Sequence, residues 1–392
     1  MTVSANILPL IAAKANRIFK IDDAYRAKMS KIAAGRSDVI ALGSGDPDFH
    51  TPQHIVEAAK AAIDDNQHHY TPYTGLPALR EAITDTLHRE NNLDYNMDEV
   101  IVTSGVQESI MLCMLGLIDP GDEVLIGSPR FGTYDTAVTM CGGQVVPVPI
   151  READDFALMP AEIEKRITPK SKVLVLVTPQ NPTGAVTPPA IIREIVELVQ
   201  KHNLILISDE IYSRLIYPGS EHLSAASLPG MKERTITING FSKTYAMTGW
   251  RVGYLAAPAP FVKLLIEPRH TLSICTSTPS QFAALAALTG PQEPVEAMLE
   301  VYGERRAYLM EAITKMGFTY GHPGGGFHLY TNVSSSGMPA TVFCEELLRK
   351  SGVMINPGIL AGDENDTHVR ITFLKPMEVL QEAVGRIESF LA

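Results

Sequence analysis

The sequence of 392 residues has little cysteine, no clustered positive charge and no long apolar run, and each shortage closes off a class of protein. Its four cysteines, at positions 113, 141, 275 and 344, stand far apart and form no CxxC pair. That spacing excludes a zinc knuckle of the usual kind and offers no disulfide framework, so the chain fits a reducing, cytoplasmic setting. No run of five or more lysines and arginines occurs, and the formal net charge is −11. Nucleic acid and anionic membrane are therefore poor partners, although a small anion could still sit in a local positive site. No apolar stretch approaches the ~20 residues of a membrane-spanning helix. The short apolar run Ile7 to Ala13 has no positive charge before it and reads as an N-terminal arm or helix start, not a signal peptide. Neither an internal repeat nor a low-complexity tract is present, and no spacing suggests a metal site.

What remains is globular composition, 45% hydrophobic and 20% charged, in a length that suggests two domains. In the middle of the chain, short β-branched runs alternate with helical patterns. Strands are expected at 99–105, 122–129, 144–149, 172–179, 204–210, 234–240 and 252–256, with helices at 106–117 and from Pro188 to about His202. Such alternation predicts an α/β fold, a mostly parallel central sheet with helices on both faces. The ends read differently. Helical stretches at 15–35, 292–316, 339–351 and 376–391 and strand-like pieces at 327–333, 353–356 and 368–374 suggest a smaller α+β domain built from both termini. The expected division is 1–45 for the arm and first helix, 46–290 for the large domain and 291–392 for the small C-terminal one.

Polar residues gather where these strands end. Ser104-Gly105-Val106-Gln107, Asn181, Asp209 and Ser242-Lys243 each follow or close a predicted strand. In an open parallel sheet those ends share one edge, where ligands bind. A lysine among small and apolar residues loses its proton readily and can condense with an aldehyde. A carboxylate set against a pyridine nitrogen keeps it protonated, making the ring an electron sink. A glycine turn opening a helix offers N–H groups to a phosphate, and Arg251 can add a charge-assisted contact. Singly, each feature has a plainer reading: a surface lysine, a helix N-cap, an ordinary turn, a stacked structural arginine. The ordered set describes a pyridoxal-phosphate site.

The run NGFSKTYAMTGWRVGY (239–254) resembles the lysine signature of class I/II, aspartate aminotransferase-like enzymes of fold type I. TPQNPTG (178–184), SDEIY (208–212), SGDPDF (44–49), YTPYTGLPALR (70–80) and HVRITF (368–373) extend the likeness in order along the chain. The resemblance implies the fold-type-I transferase fold, with 46–290 as the cofactor-binding domain, and pyridoxal 5'-phosphate held as a Schiff base on Lys243. It implies that Lys243 also shuttles a proton, that Asp209 pairs with the pyridinium nitrogen, and that Tyr212 and Asn181 bond the ring oxygen. Phe131 falls where an aromatic stacks on the ring. Phosphate would be held by Gly105, Val106, Gln107, Ser242 and Arg251, with Tyr70 reaching in from the other subunit of a homodimer. Arg370 would clamp the substrate carboxylate, helped by Asn181 and the backbone at Gly45. In strand 368–373 Val369, Ile371 and Phe373 face one way and Arg370 and Thr372 the other.

The chain also departs from the pattern. Gly240 stands where many relatives carry serine, which puts one phosphate contact in doubt. Ala361 replaces a common aromatic, and Gly324-Gly325-Gly326 suggests a loosened facing wall and a roomier side-chain pocket. The implied activity is amino-group transfer between an L-amino acid, broad or aromatic or possibly aspartate, and a 2-oxo acid such as 2-oxoglutarate. Arg130, His270 or a lysine elsewhere are the candidate cations for a distal carboxylate, and spacing does not place any of them. Two alternatives share the motifs: a lyase of the carbon–sulfur type or a cyclopropane-forming synthase, and a cofactor-binding transcriptional regulator. The stretch before Ser44 has no helix-turn-helix pattern, which disfavours the regulator.

Overall fold

The β-branched run SKVLVLV dictates the centre of the molecule. Side chains alternate across a strand, so Val173 and Val175 enter one apolar layer while Leu174 and Leu176 enter another. A strand apolar on both faces must be covered on both, and here it is. The computed structural model describes residues 24–392; most of the expected N-terminal arm, and the start of the helix expected at 15–35, lie outside those residues.

Strands in chain order are β1 (Ile40–Ala41), β2 (Val100–Thr103), β3 (Glu123–Ser128), β4 (Gln144–Pro149), β5 (Ser171–Val177), β6 (Ile205–Asp209) and β7 (Thr235–Gly240). There follow β8 (Gly253–Ala256), β9 (Thr319–Tyr320), β10 (His328–Asn332), β11 (Val353–Met354), β12 (Asn356–Pro357) and β13 (His368–Thr372). The large sheet has the order β2-β8-β7-β6-β5-β3-β4. Its pairs are parallel except at β8, which runs antiparallel to both neighbours. That reversal was not expressed in the sequence pattern, because a short apolar run carries no sign of its direction.

One face of the sheet packs against helices Val106–Leu117, Thr133–Met140 and Ala259–Ser273. The other is covered by helix Pro189–Lys201, whose Ile192, Ile195, Val196 and Val199 recur at helical spacing on one side. Proline at the first position of that helix fixes its start without losing a hydrogen bond. A second sheet, β12-β13-β10-β9, is antiparallel, and β1 pairs in parallel with β11, joining residues near the two ends of the described chain. Helices Ala24–Ala34, Glu293–Lys315, Ala340–Ser351 and Met377–Leu391 surround these smaller sheets. Among the described residues no helix is long and apolar enough to cross a membrane.

The segment 42–51 is stitched to both regions. Thr372 N and Asn356 Nδ2 donate to the carbonyls of Leu42 (2.7 Å) and Gly43 (2.9 Å). On the other side Thr248 Oγ1 donates to Asp46 (2.5 Å) and Thr51 Oγ1 to the Ala246 carbonyl (2.7 Å). Leu174 tests the layered core. It is fully buried on β5, and Leu174→Ala is expected to destabilise the fold by about 2–5 kcal/mol, seen as a lower urea midpoint.

Candidate active site

Parallel register places the carboxyl ends of β5, β6 and β7 side by side: Val177 pairs with Asp209, and Asp209 with Ile238. The residues just beyond these ends enclose a cavity of about 570 Å³. Asp209, Tyr212, Ser242, Lys243, Arg251 and Asn181 line it. Val106, Gln107 and Phe131 enter from the turns after β2 and β3, while Gly45 and Arg370 come from the region of the small sheets. Four strand-end segments distant in sequence therefore meet in one place. Gly105 backs this wall, against Arg251. Tyr70 does not enter the cavity; it lies on the surface, 79% exposed.

The basic end is built around glycine. Gly105, at φ +84°, precedes helix Val106–Leu117, and a Cβ there would come within 2.7 Å of Arg251 Nη2. Only the bare backbone permits that approach. The helix start leaves the amides of Val106 and Gln107 outside the helical ladder, and both residues line the cavity together with Arg251 and Ser242. Gly240 has a packing reason as well: its Cβ would lie 3.0 Å from Gly253 Cα, so a serine would press on β8. Glu108 in the first helical turn accepts from Ser104 N (2.5 Å) and pairs at 2.8 Å with Arg269, which is fully buried. Arg269 also donates to the carbonyl of Val102 (3.1 Å). The pair neutralises a carboxylate that would otherwise weaken an anion site.

At the cavity floor Asp209 is buried, and burial pushes its carboxyl up to about 6, above the ordinary carboxylate range. Tyr134 Oη donates to Asp209 Oδ2 (2.8 Å) and the Ile211 amide to Oδ1 (3.2 Å), both opposing that rise. Those neutral donors and the neighbouring Glu210 leave the charge uncompensated. Lys243 Nζ donates to the Gly45 carbonyl at 2.7 Å. Burial brings its ammonium down to about 8, with Arg370 and Arg251 acting in the same direction and Asp46 against it. Tyr212 is raised by burial, and its hydroxyl lies 3.3 Å from His328 Nε2. His328 is held well below its ordinary value by burial and by Arg370 and Lys243, so it is neutral.

Asn181 sits in a tight turn, with Gln180 N bonded to the Ala185 carbonyl (2.9 Å) and Gly184 N to the Gln180 carbonyl (2.8 Å). Its Oδ1 accepts from Arg370 Nη1 (2.9 Å), and Arg370 Nη2 donates to the Gly43 carbonyl (2.8 Å). Arg370 Nε is buried without a hydrogen-bond partner among the described residues, as is His328 Nδ1. A guanidinium aimed into a cavity with an unused donor suits a carboxylate. Together the set fits pyridoxal phosphate: an amine of lowered basicity, an uncompensated carboxylate, and a glycine-lined basic end for a phosphate.

A second cavity of about 640 Å³ opens off the first and shares Gln107, Phe131, Asn181 and Arg370 with it. Ala361 and Leu360 form part of its wall. Gly324-Gly325-Gly326 does not loosen that wall as expected. The turn packs elsewhere, where a Cβ on Gly325 would meet Pro179 at 2.5 Å. Arg130 lines this cavity but is held by Asp135 through Nε (2.9 Å) and Nη2 (2.5 Å). His270 lies outside both linings, its ring against Tyr73 at 4.6 Å. Tyr134, His328 and the Glu108–Arg269 pair escaped the sequence reading. Tyr134 lies three residues past Phe131 on a helix face that only tertiary packing turns toward Asp209, and nothing in its spacing announced it.

The model for the family "Aminotransferase class I and II" matches residues 37–387. An aspartate aminotransferase from Pyrococcus abyssi is 39% identical over 97% of this chain and 98% of its own. Aromatic-amino-acid aminotransferase 2 of Thermococcus litoralis is 37% identical, with the same coverage. Among solved structures, the aspartate aminotransferase of Rhizobium meliloti superposes with a TM-score of 0.92 at 32% identity, covering 96% of this chain and 98% of that one. Geometry and likeness agree over nearly the whole length: this chain belongs to the class I and II aminotransferases, the pyridoxal-phosphate-dependent transaminases of fold type I.

Proposed function

We propose that the enzyme transfers an amino group between L-amino acids of broad or aromatic type, acidic ones included, and a 2-oxo acid such as 2-oxoglutarate. One observation carries the reading: Lys243, of lowered basicity, and Arg370, with an unused donor, open on the same cavity above a buried Asp209. Relatives bearing the names of aspartate and of aromatic-amino-acid aminotransferases support both substrate types.

When bound, pyridoxal phosphate supplies a ring that accepts the electron pair left on the substrate Cα. Asp209 holds the proton on the pyridine nitrogen, and Tyr134 orients Asp209. Tyr212 and Asn181 would bond the ring oxygen, and Phe131 would stack on the ring. The Gly105–Gln107 turn, Ser242 and Arg251 hold phosphate. Arg370, steadied by Asn181, grips the substrate α-carboxylate, with the backbone at Gly45 alongside. Lys243 Nζ, once free, would take the Cα proton and deliver it to the C4′ carbon of the cofactor, a task suited to an amine of lowered basicity.

Tyr70 enters this reading as Tyr70 of the partner subunit, at the phosphate end. Exposed large apolar side chains support a homodimer: Tyr73, whose ring packs on His270, and Leu264 and Leu272 of the helix that carries His270 are 47%, 46% and 51% exposed. On this reading a cofactor-binding unit at 46–290 and a smaller one from 1–45 and 291–392 would meet at the substrate groups, a reading supported by Gly45 and Arg370 lining the same cavity as Asn181 and Lys243. The cytoplasm is the proposed location.

Lys243→Ala is expected to lower glutamate formation from an amino acid and 2-oxoglutarate by at least about 10³-fold. Wild-type turnover in that variant would remove the lysine from the mechanism, and a wild-type enzyme that forms no glutamate would favour a lyase. Asp209 gives a test with a definite sign. Its folded pKa is raised to about 6 from 3.8, so the stability it contributes is full below the lower value and is lost as pH rises through the upper one. In cofactor-free protein, Asp209→Asn should therefore raise the thermal midpoint at pH 8 and leave it nearly unchanged at pH 4. The same variant should bind pyridoxal phosphate roughly 10–100-fold more weakly, as loss of a charge-assisted bond predicts.

A further inference from the structure

The second cavity poses a charge problem. Among the described residues three guanidinium groups line it, those of Arg26, Arg130 and Arg370, and no aspartate or glutamate does. Two of the three are accounted for. Arg130 is neutralised by the bidentate contact with Asp135, and Arg370, positioned by Asn181 and the Gly43 carbonyl with its Nε donor still unused, is the group the proposed reading reserves for the substrate α-carboxylate. Arg26 has no carboxylate within ion-pair distance among the described residues. The remaining wall is largely apolar, with Met111, Ala137, Met140, Leu360 and Ala361. A cavity of this make-up accepts a large apolar side chain along its walls, and it keeps one spare cation for an anion.

Helix Ala24–Ala34 presents that cation from a fixed position. Met29 is buried, Tyr25 Oη donates to the Thr341 carbonyl (3.2 Å), and Lys28 pairs with Glu345 (2.5 Å). Residues 25, 28 and 29 share one helical face, which docks on helix Ala340–Ser351. Arg26 lies off that face and on the cavity. It is close enough for its charge to act on Arg370.

We infer that Arg26 binds the distal carboxylate of acidic substrates, aspartate, glutamate and their 2-oxo acids, while the Met111–Met140–Ala361 wall receives aromatic and other apolar side chains. This rests on the transaminase reading of the site. One cavity then serves both classes: the dicarboxylate places its second charge on Arg26, and an apolar side chain makes no use of it. The long, flexible arginine stem can lie along the rim in that case. Arg130 is excluded from the role because Asp135 already occupies its planar fork.

The test is the half-reaction of pyridoxal-phosphate-loaded enzyme, followed by loss of the cofactor's absorbance band, with glutamate, aspartate and phenylalanine in turn. Arg26→Ala is expected to lower kcat/KM for both acidic substrates about 10–100-fold, mainly through KM, because a charge-assisted contact is removed. Phenylalanine should stay within about twofold, which also shows that the variant is folded. Arg26→Lys, retaining charge without the fork, should recover part of the loss. An equal fall for phenylalanine and the dicarboxylates would overturn the assignment, as would unchanged dicarboxylate kinetics in Arg26→Ala. Failure of the transaminase reading would look different: the wild-type enzyme would convert none of the three to a 2-oxo acid.

Discussion

Parallel pairing of β5, β6 and β7 is the constraint on which the site depends. Neighbouring strands in a sheet are about 4.8 Å apart, so residues at their common edge are close whatever their separation in sequence. Val177, Asp209 and Ile238 stand in one row of that register. The turn bearing Asn181, the carboxylate of Asp209 and the loop bearing Lys243 are then neighbours by construction. The antiparallel β8 adds to this. It returns the chain from Arg251 beside Gly105, and the paired glycines at 240 and 253 let the two backbones close up.

Burial at that edge works against the charges it gathers. It pushes the Asp209 carboxyl up and the Lys243 ammonium down, and it lowers Arg370 and His328. Each shift records a free-energy cost carried by the protein alone. On the proposed reading a protonated ring nitrogen answers Asp209 and a substrate carboxylate answers Arg370. The binding energy of cofactor and substrate is thus drawn partly from charges that the fold leaves unanswered. Where no ligand group would answer, the protein supplies its own partner. Glu108 beside the Gly105 turn is matched by the buried Arg269, and Arg130 by Asp135.

Much of this was legible in the amino-acid order, for physical reasons that also set the limit. The run Lys172–Val177 declares a strand apolar on both faces, and Pro188-Pro189 before a 3.6-residue period declares a helix start. Strand ends followed by glycine or a lone polar residue pointed to Asp209, Asn181 and Lys243, which the structure brings together. Contacts made between elements left no such trace. Tyr134 meets Asp209 across 75 positions and Arg269 meets Glu108 across 161. His328 lies on a strand of the small sheet, where a buried histidine and a structural one look alike in sequence. The triple glycine misled for a related reason: glycine signals close approach or open space equally, and here Pro179 and the Leu215 carbonyl occupy the room.

The chemistry and the selectivity hang from different parts of the molecule. The floor of the site belongs to the large sheet, while the side-chain wall belongs to helix Ala24–Ala34 and the turn Gly358–Ala361. That turn has its own support. Tyr330 Oη donates to Asp363 (2.8 Å), His368 lies between Asp363 (3.3 Å) and Glu152 (3.1 Å), and its ring stacks on Tyr330 at 4.9 Å. The helix is anchored separately through Met29, Tyr25 and Lys28. None of these anchors touches Lys243 or Asp209 directly. On the proposed reading, substitutions on the wall therefore change which side chain is accepted while Lys243 and Asp209 keep their geometry.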